Sequence, residues 1–133
     1  KLVMQGKAST DNLVIIQNQY ADIEHNLIHF LENHDEQRIA SPEFAGNADI
    51  GMPAMVVSAT ISTAPTLLYF GQEVGEKGDY NAGFGKASRT TIFDYWGVPA
   101  HQRWMNEGKF DGGAAQGVEP RIRSHHRRHD RAF

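Results

Sequence analysis

Four chemically useful side chains follow one short apolar run of the sequence. The run is residues 27–31, and the side chains belong to Asn33, His34, Asp35 and Arg38. An amide, an imidazole, a carboxylate and a guanidinium can hydrogen-bond the hydroxyl groups of a neutral ligand, or orient one another. Because ligands of α/β proteins sit at the carboxyl ends of parallel strands, this position predicts a binding site.

The elements that must position these side chains are two strands and the helix between them. Residues 27–31 and residues 66–70 are short apolar runs followed by polar residues, a pattern that favours buried strands. Residues 49–63 are nearly all small or apolar, which predicts a helix buried on most of its sides. The order strand, loop, helix, strand indicates a right-handed parallel crossover. The polar residue Glu73 then follows the second strand at the same edge as Asp35.

Two further helices and one loop complete the predicted arrangement. The stretch 13–24 is predicted to be helical, and a short helix is predicted at 99–106. The central helix is expected to begin near Asp49, with Pro53 tolerated in its first turn. Residues 71–88 are rich in glycine and predict an irregular surface loop.

Two motifs in this order resemble the alpha-amylase family of glycoside hydrolases. Residues 30–35 match the F-x-x-N-H-D motif of that family, and residues 65–73 look like its P-x-x-x-Y-x-G-x-E segment. Residues 89–96 are similar to the aromatic stretch that follows. In the family, the two motifs end the seventh and eighth strands of a (β/α)8 barrel. The resemblance implies an α/β fold over residues 1–120: a partial TIM barrel of two parallel strands with flanking helices.

The resemblance also implies a substrate and a set of roles. The family includes retaining glycosidases that act on α-linked glucans such as starch. Asp35 matches a carboxylate that stabilises the transition state, and His34 matches a residue that hydrogen-bonds the same sugar. Asn33 and Arg38 complete the expected substrate-binding set. For Arg38, the orienting of a carboxylate is a stronger expectation than direct contact with substrate.

The sequence departs from the family in what it lacks. A complete barrel needs about 250 residues and eight strands. The family nucleophile and acid/base lie on the fourth and fifth strands, and no segment of these 133 residues resembles either. The resemblance therefore predicts a truncated form that is inactive or weakly active alone. Residues 121–133 contain five Arg and three His, and this basic tail is expected to be disordered.

Two other functions fit the same residues. One is a non-catalytic carbohydrate-binding module that uses His34 and Asp35. The other is a small autonomous hydrolase with a rebuilt carboxylate pair drawn from Glu32, Asp35, Glu36 and Glu73. Otherwise Glu32 and Glu36 are expected to be bystanders, that is, residues near the site with no role in binding or catalysis. Glu73 is expected to have a structural role. Release of reducing sugar from starch would separate the hydrolase from the other readings.

Bulk properties narrow the choice of partners. The net charge of −3 gives no reason to expect nucleic acid, and no apolar run reaches the ~20 residues that span a bilayer. The sequence has no cysteine, so the compartment is left open. No cofactor is predicted; a calcium site is compatible with the family resemblance but is assigned to no residue. The predicted strands lack flanking partners, which predicts a homo-oligomer.

Overall fold

The computed structural model describes residues 1–79 and 98–114, which form a small mixed α/β fold. The helices of these ranges are α1 (Asp11–Gln19), α2 (Gly51–Thr60) and α3 (Pro99–Met105), and the strands are β1 (His29–Phe30) and β2 (Thr66–Leu67). Short 3-10 turns lie at Glu24–Asn26, Ala48–Ile50, Gln72–Val74 and Asn106–Gly108. Within the same ranges, none of the helices combines the length and apolar character needed to cross a bilayer. The basic tail and the aromatic stretch 89–96 lie outside the described residues.

The two strands are parallel, as the sequence predicts. His29 pairs with Thr66 and Phe30 pairs with Leu67. The backbone N–H of His29 also donates to the carbonyl of Pro65 at 2.9 Å. Because α2 lies in the connection between the strands, the chain makes the predicted strand–helix–strand unit.

The predicted extent and burial of the strands were wrong. Each strand has two residues rather than five, and Phe30 and Leu67 remain 44% and 38% exposed. The described ranges contain no third strand beside β1 or β2. Each strand therefore has one hydrogen-bonding neighbour, and part of its apolar surface has no covering layer.

The helices agree with the predicted positions more closely than the strands do. Asn47, rather than Asp49, is the capping residue, and it caps the 3-10 turn Ala48–Ile50 that leads into α2: its side-chain oxygen accepts a hydrogen bond from the Asp49 N–H at 2.9 Å. Pro53 lies in the first turn of α2, where its missing N–H removes no intrahelical bond. Pro99 begins α3 for the same reason.

The small apolar core lies beside the loops that follow the strands. Ala40, Ala48 and Met52 form one cluster, and Val74 and Val98 are also buried. Ile39 packs so closely on Gly51 that a Cβ at that glycine would lie 2.9 Å from the Ile39 Cδ1 atom. These contacts fix the start of α2 against the segment that carries the predicted site.

Candidate functional site

The parallel pairing of β1 and β2 places the segments after them at one edge of the sheet. We call residues 31–41 and 68–79 together the carboxyl edge. Arg38 joins its two halves, since its Nη2 atom donates to the carbonyl of Phe70 at 2.7 Å. This bond spans 32 positions of sequence and holds the end of β2 to the loop that follows β1.

A buried ion pair anchors the loop after β1. The Nη1 atom of Arg38 lies 2.8 Å from the Oε2 atom of Glu32, and the two residues are 1% and 3% exposed. The second carboxylate oxygen of Glu32 accepts from the Ile39 N–H at 2.8 Å. The Arg38 guanidinium also lies over the Tyr69 ring, 4.4 Å from its centroid. Both charges are thus compensated where water cannot solvate them.

The side chain of Asn33 shapes the tip of this loop. Its Oδ1 atom accepts hydrogen bonds from the N–H groups of Asp35 and Glu36, each at 2.9 Å. A side-chain oxygen that binds the backbone two and three residues ahead closes a tight turn. Asn33 therefore sets the orientation of its neighbours through the backbone.

His34 and Asp35 are presented to solvent by this turn. Their side chains are 46% and 76% exposed, and His34 Nε2 lies 3.4 Å from Asp35 Oδ2. The carboxylate can accept hydrogen bonds from the hydroxyls of a ligand, and the imidazole N–H beside it can donate a hydrogen bond to an adjacent hydroxyl. In open solvent the pair can bind such a ligand, but water competes for every bond.

The structure brings three of the four predicted site residues together and separates the fourth. Asn33, His34 and Asp35 share one turn, whereas Arg38 lies in the interior. Of the two roles considered for Arg38, the geometry favours the orienting of a carboxylate. That carboxylate belongs to Glu32, so Glu32 is not the bystander that the sequence suggested.

The end of β2 is held by a second set of polar contacts. Gly71 adopts a φ of +92°, which a residue with a side chain rarely tolerates. Glu73 accepts from the Gly71 N–H at 2.8 Å, and its other oxygen lies 3.4 Å from the Nε2 atom of His101. These contacts agree with the structural role predicted for Glu73.

Glu76 is a structural residue that sequence reasoning missed. It is 2% exposed and accepts from the N–H groups of Gly78 at 2.8 Å and Ala100 at 3.0 Å. The second bond holds the first turn of α3 against the carboxyl edge and satisfies one of the helix's unpaired N–H groups. Nothing in the local sequence signals this role, because Ala100 is 24 positions away.

The geometry does not favour a rebuilt catalytic pair of carboxylates. Glu32 is held by Arg38, Glu36 pairs with Lys1, and Glu73 is held by Gly71 and His101. A retaining glycosidase needs a free nucleophilic carboxylate about 5 Å from a carboxyl that can carry a proton. Three of the four candidates are instead bound into ion pairs or backbone contacts.

His25 and His29 lie four residues apart in the sequence, but their side chains do not converge on a common point. His25 Nε2 lies 2.9 Å from the side-chain nitrogen of Asn26. His29 Nδ1 donates to the carbonyl of Ser58 at 2.9 Å, and its Nε2 lies 3.4 Å from Glu24. Within residues 1–79 and 98–114, no three His, Asp or Glu side chains are grouped to hold a metal ion.

The structure has an apolar cavity of about 570 Å³. Its walls come from α1, β1 and α2, and they include Leu13, Ile16, Phe30 and Val57. None of the predicted site residues lines it. Its size suits a small molecule, but its walls carry few of the polar groups that orient a sugar.

Comparison with known proteins identified no relative of this chain. No protein-family model, curated protein or solved structure matches the chain. The alpha-amylase resemblance therefore stays a prediction from the two motifs.

Proposed function

We propose that this chain is the C-terminal part of an alpha-amylase-type barrel and contributes to a site for α-linked glucans. The observation that carries the proposal is the turn at the carboxyl end of β1. There Asn33 holds the backbone, and His34 and Asp35 face solvent together. The adjoining parallel strand β2 and the buried Glu32–Arg38 pair give this turn a fixed support.

In this proposal Asp35 accepts hydrogen bonds from two neighbouring hydroxyls of one sugar, and His34 binds a third. As the sugar ring flattens toward the oxocarbenium-like transition state, it gains positive charge. A fixed carboxylate binds that state more tightly than the ground state, which lowers the barrier. The nucleophile and the acid/base must come from strands that these residues do not supply, so the chain alone binds glucan without cleaving it.

Binding of maltoheptaose to the full chain tests the role of Asp35. We expect Asp35→Asn to weaken binding by roughly tenfold or more, the loss expected when charged hydrogen bonds to a ligand are removed. Asp22→Asn is the matched control, because Asp22 is also an exposed aspartate but lies outside the carboxyl edge. Equal affinities for wild type and Asp35→Asn, with equal melting temperatures, would show that Asp35 is not a site residue.

A carbohydrate-binding module remains the second candidate, and the engaged carboxylates favour it over an autonomous hydrolase. Retention on insoluble starch with no release of reducing sugar would support binding without turnover. Measurable release of reducing sugar by the purified chain would overturn this part of the proposal. A carboxylate pair that includes Asp35 would then be the candidate for catalysis.

We also propose that the chain forms a homo-oligomer. Apolar side chains are exposed on β1 and β2, where they include Phe30 and Leu67, and on the adjacent Leu68. Surfaces of this kind usually mark an interface. Light scattering across a dilution series should show a mass that falls toward that of the 14.8 kDa monomer as the protein is diluted. A constant monomer mass at micromolar concentration would contradict it.

A further inference from the structure

Four aromatic rings form a continuous row from the end of β2, across α3, to the loop that follows. The ring centroids of Phe70 and His101 are 4.4 Å apart, those of His101 and Trp104 are 5.7 Å apart, and those of Trp104 and Phe110 are 6.1 Å apart. These separations are typical of aromatic rings in contact. The two ends of the row are open to solvent, since Phe70 is 54% exposed and Phe110 is 57% exposed.

The backbone is strained where it presents the Phe110 ring. Phe110 has a φ of +55°, and Asn106 and Glu107 have φ values of +45° and +57°. Left-handed backbone is unfavourable for residues with side chains and is notable for a bulky ring. Two backbone bonds hold the loop in place: Phe110 N–H to the Met105 carbonyl at 2.9 Å, and Gly112 N–H to the Trp104 carbonyl at 3.0 Å.

The strain at Phe110 is not offset by burial of its ring. More than half of the residue stays in water, so its transfer from solvent contributes little to folding. Strained residues of this kind cluster where a side chain must be held in place for binding. The strain therefore indicates that the loop holds the exposed Phe110 ring in place for binding.

Polar groups lie beside the Phe110 end of the row. The Oδ1 atom of Asp111 accepts from the side-chain nitrogen of Asn106 at 2.9 Å and from the Gly113 N–H at 2.8 Å. The bond from Asn106, and then that from Gly113, holds the pKa of Asp111 below its ordinary value. Asp111 is therefore an oriented and ionised acceptor at neutral pH. Near the other end of the row, Glu73 Oε1 lies 3.4 Å from the Nε2 atom of His101, the ring next to Phe70.

We propose that this aromatic row is a binding platform for consecutive sugar units of an α-linked glucan, separate from the turn that carries Asp35. A pyranose ring has an apolar face of C–H groups and a rim of hydroxyls. Aromatic rings match the face, and oriented carboxylate and amide groups match the rim. A row of several rings suits an oligosaccharide better than a single sugar. The choice of an α-glucan as ligand rests on the proposed function, whereas the platform itself rests on the ring geometry.

Calorimetric titration of the full chain with maltoheptaose tests the platform, with cellohexaose as the linkage control. The informative variant is Phe110→Gly, since glycine tolerates the left-handed backbone at this position. We expect Phe110→Gly to bind maltoheptaose roughly tenfold more weakly, because it loses one stacked ring. Its melting temperature should stay equal to that of wild type or rise, because the strain is relieved. Phe110→Trp should keep the affinity. Tyr20→Ala, which removes an exposed ring outside the row, should leave it unchanged.

The outcomes separate this proposal from the proposed function. Loss of binding in Phe110→Gly with binding kept in Asp35→Asn would support the platform and reject the role of Asp35. The reverse pattern would reject the platform and leave Asp35 in place. A drop in melting temperature for Phe110→Gly without loss of affinity would show that the ring serves packing. No binding of maltoheptaose by wild type would overturn both.

Discussion

The carboxyl edge and the amino-terminal side of the molecule differ in the kinds of side chain that they bury and expose. At the carboxyl edge, charged groups such as Glu32, Arg38 and Glu76 are buried, and each has hydrogen-bonding partners. On the amino-terminal side, which we define as residues 11–30, large apolar side chains stay in water. The exposed set comprises Val14, Ile15, Ile16, Tyr20, Ile23, Leu27, Ile28 and Phe30. Helix α1 contains no buried residue.

The difference shows which part of the described structure has its buried charges paired and which part leaves apolar surface uncovered. The buried charged groups Arg38 and Glu76 of the carboxyl edge are held by bonds between distant segments, so this part has a defined geometry of its own. The amino-terminal side has apolar surface that its neighbours leave uncovered, and it forms part of the wall of the apolar cavity. Well-defined stability is therefore expected from the first region, and association from the second.

The largest expected effect is from breaking the buried ion pair. Arg38→Met leaves the Glu32 carboxylate buried without its cation, which we expect to cost about 3–5 kcal/mol of unfolding free energy. The double variant Glu32→Leu/Arg38→Met should recover part of that loss, because neither charge is then buried while the Ile39 N–H and the Phe70 carbonyl still lose their partners. Urea unfolding measures the free energy of unfolding of the single and the double variant. A loss below about 1 kcal/mol in the single variant would show that the carboxyl edge is not the more stable region.

A smaller effect is expected at Gly71, which precedes the 3-10 turn Gln72–Val74. Alanine there must adopt a φ of +92°, and its Cβ would lie 2.9 Å from the Val98 Cγ1 atom. Strain and overlap together should cost about 2–3 kcal/mol. Gly6→Ala is the matched control, because Gly6 has a φ of +69° and nothing within 4 Å of the added Cβ. That control should cost about 1 kcal/mol. Equal losses in the two variants would mean that the contact with Val98 is not tight.

The smallest expected effect is a pH-dependent loss of stability when Glu24, on the amino-terminal side, is replaced. Hydrogen bonds from Ser62 and then Gln17 hold the pKa of the Glu24 carboxyl below its ordinary value of 4.5. A carboxylate with a lowered pKa stabilises the fold above 4.5, and this contribution is lost as pH falls through the lower, folded pKa. We expect Glu24→Gln to be less stable than wild type at neutral pH. The gap should close as the solution becomes more acidic than pH 4.5, in melting curves recorded across that range.

If the gap between wild type and Glu24→Gln is the same at every pH, ionisation of Glu24 does not contribute to stability. Glu43→Gln serves as the control, because Glu43 is exposed and lies outside the amino-terminal side. A matching acid response in Glu43→Gln would indicate a general charge effect instead of the bonds from Ser62 and Gln17.

The order and type of the elements followed from the sequence by itself. Local patterns carried this information: short apolar runs indicated β1 and β2, small and apolar residues indicated α2, and a short helix was predicted at 99–106, where α3 lies. Such signals lie within a few residues of the element that they predict. The sequence also placed Asn33, His34 and Asp35 together after β1, but it did not predict that the Asn33 side chain closes a turn by accepting from the N–H groups of Asp35 and Glu36.

Only the tertiary structure decided which side chains are buried and what they contact. Arg38 meets the carbonyl of Phe70 across 32 positions, and Glu76 meets Ala100 across 24. The row that links Phe70 to Phe110 likewise depends on where α3 packs. The strands were predicted to be buried but are half exposed, since burial depends on neighbouring layers rather than on the residues of the strand. A sequence pattern reports local preference, whereas these contacts exist only after parallel pairing has brought distant segments together.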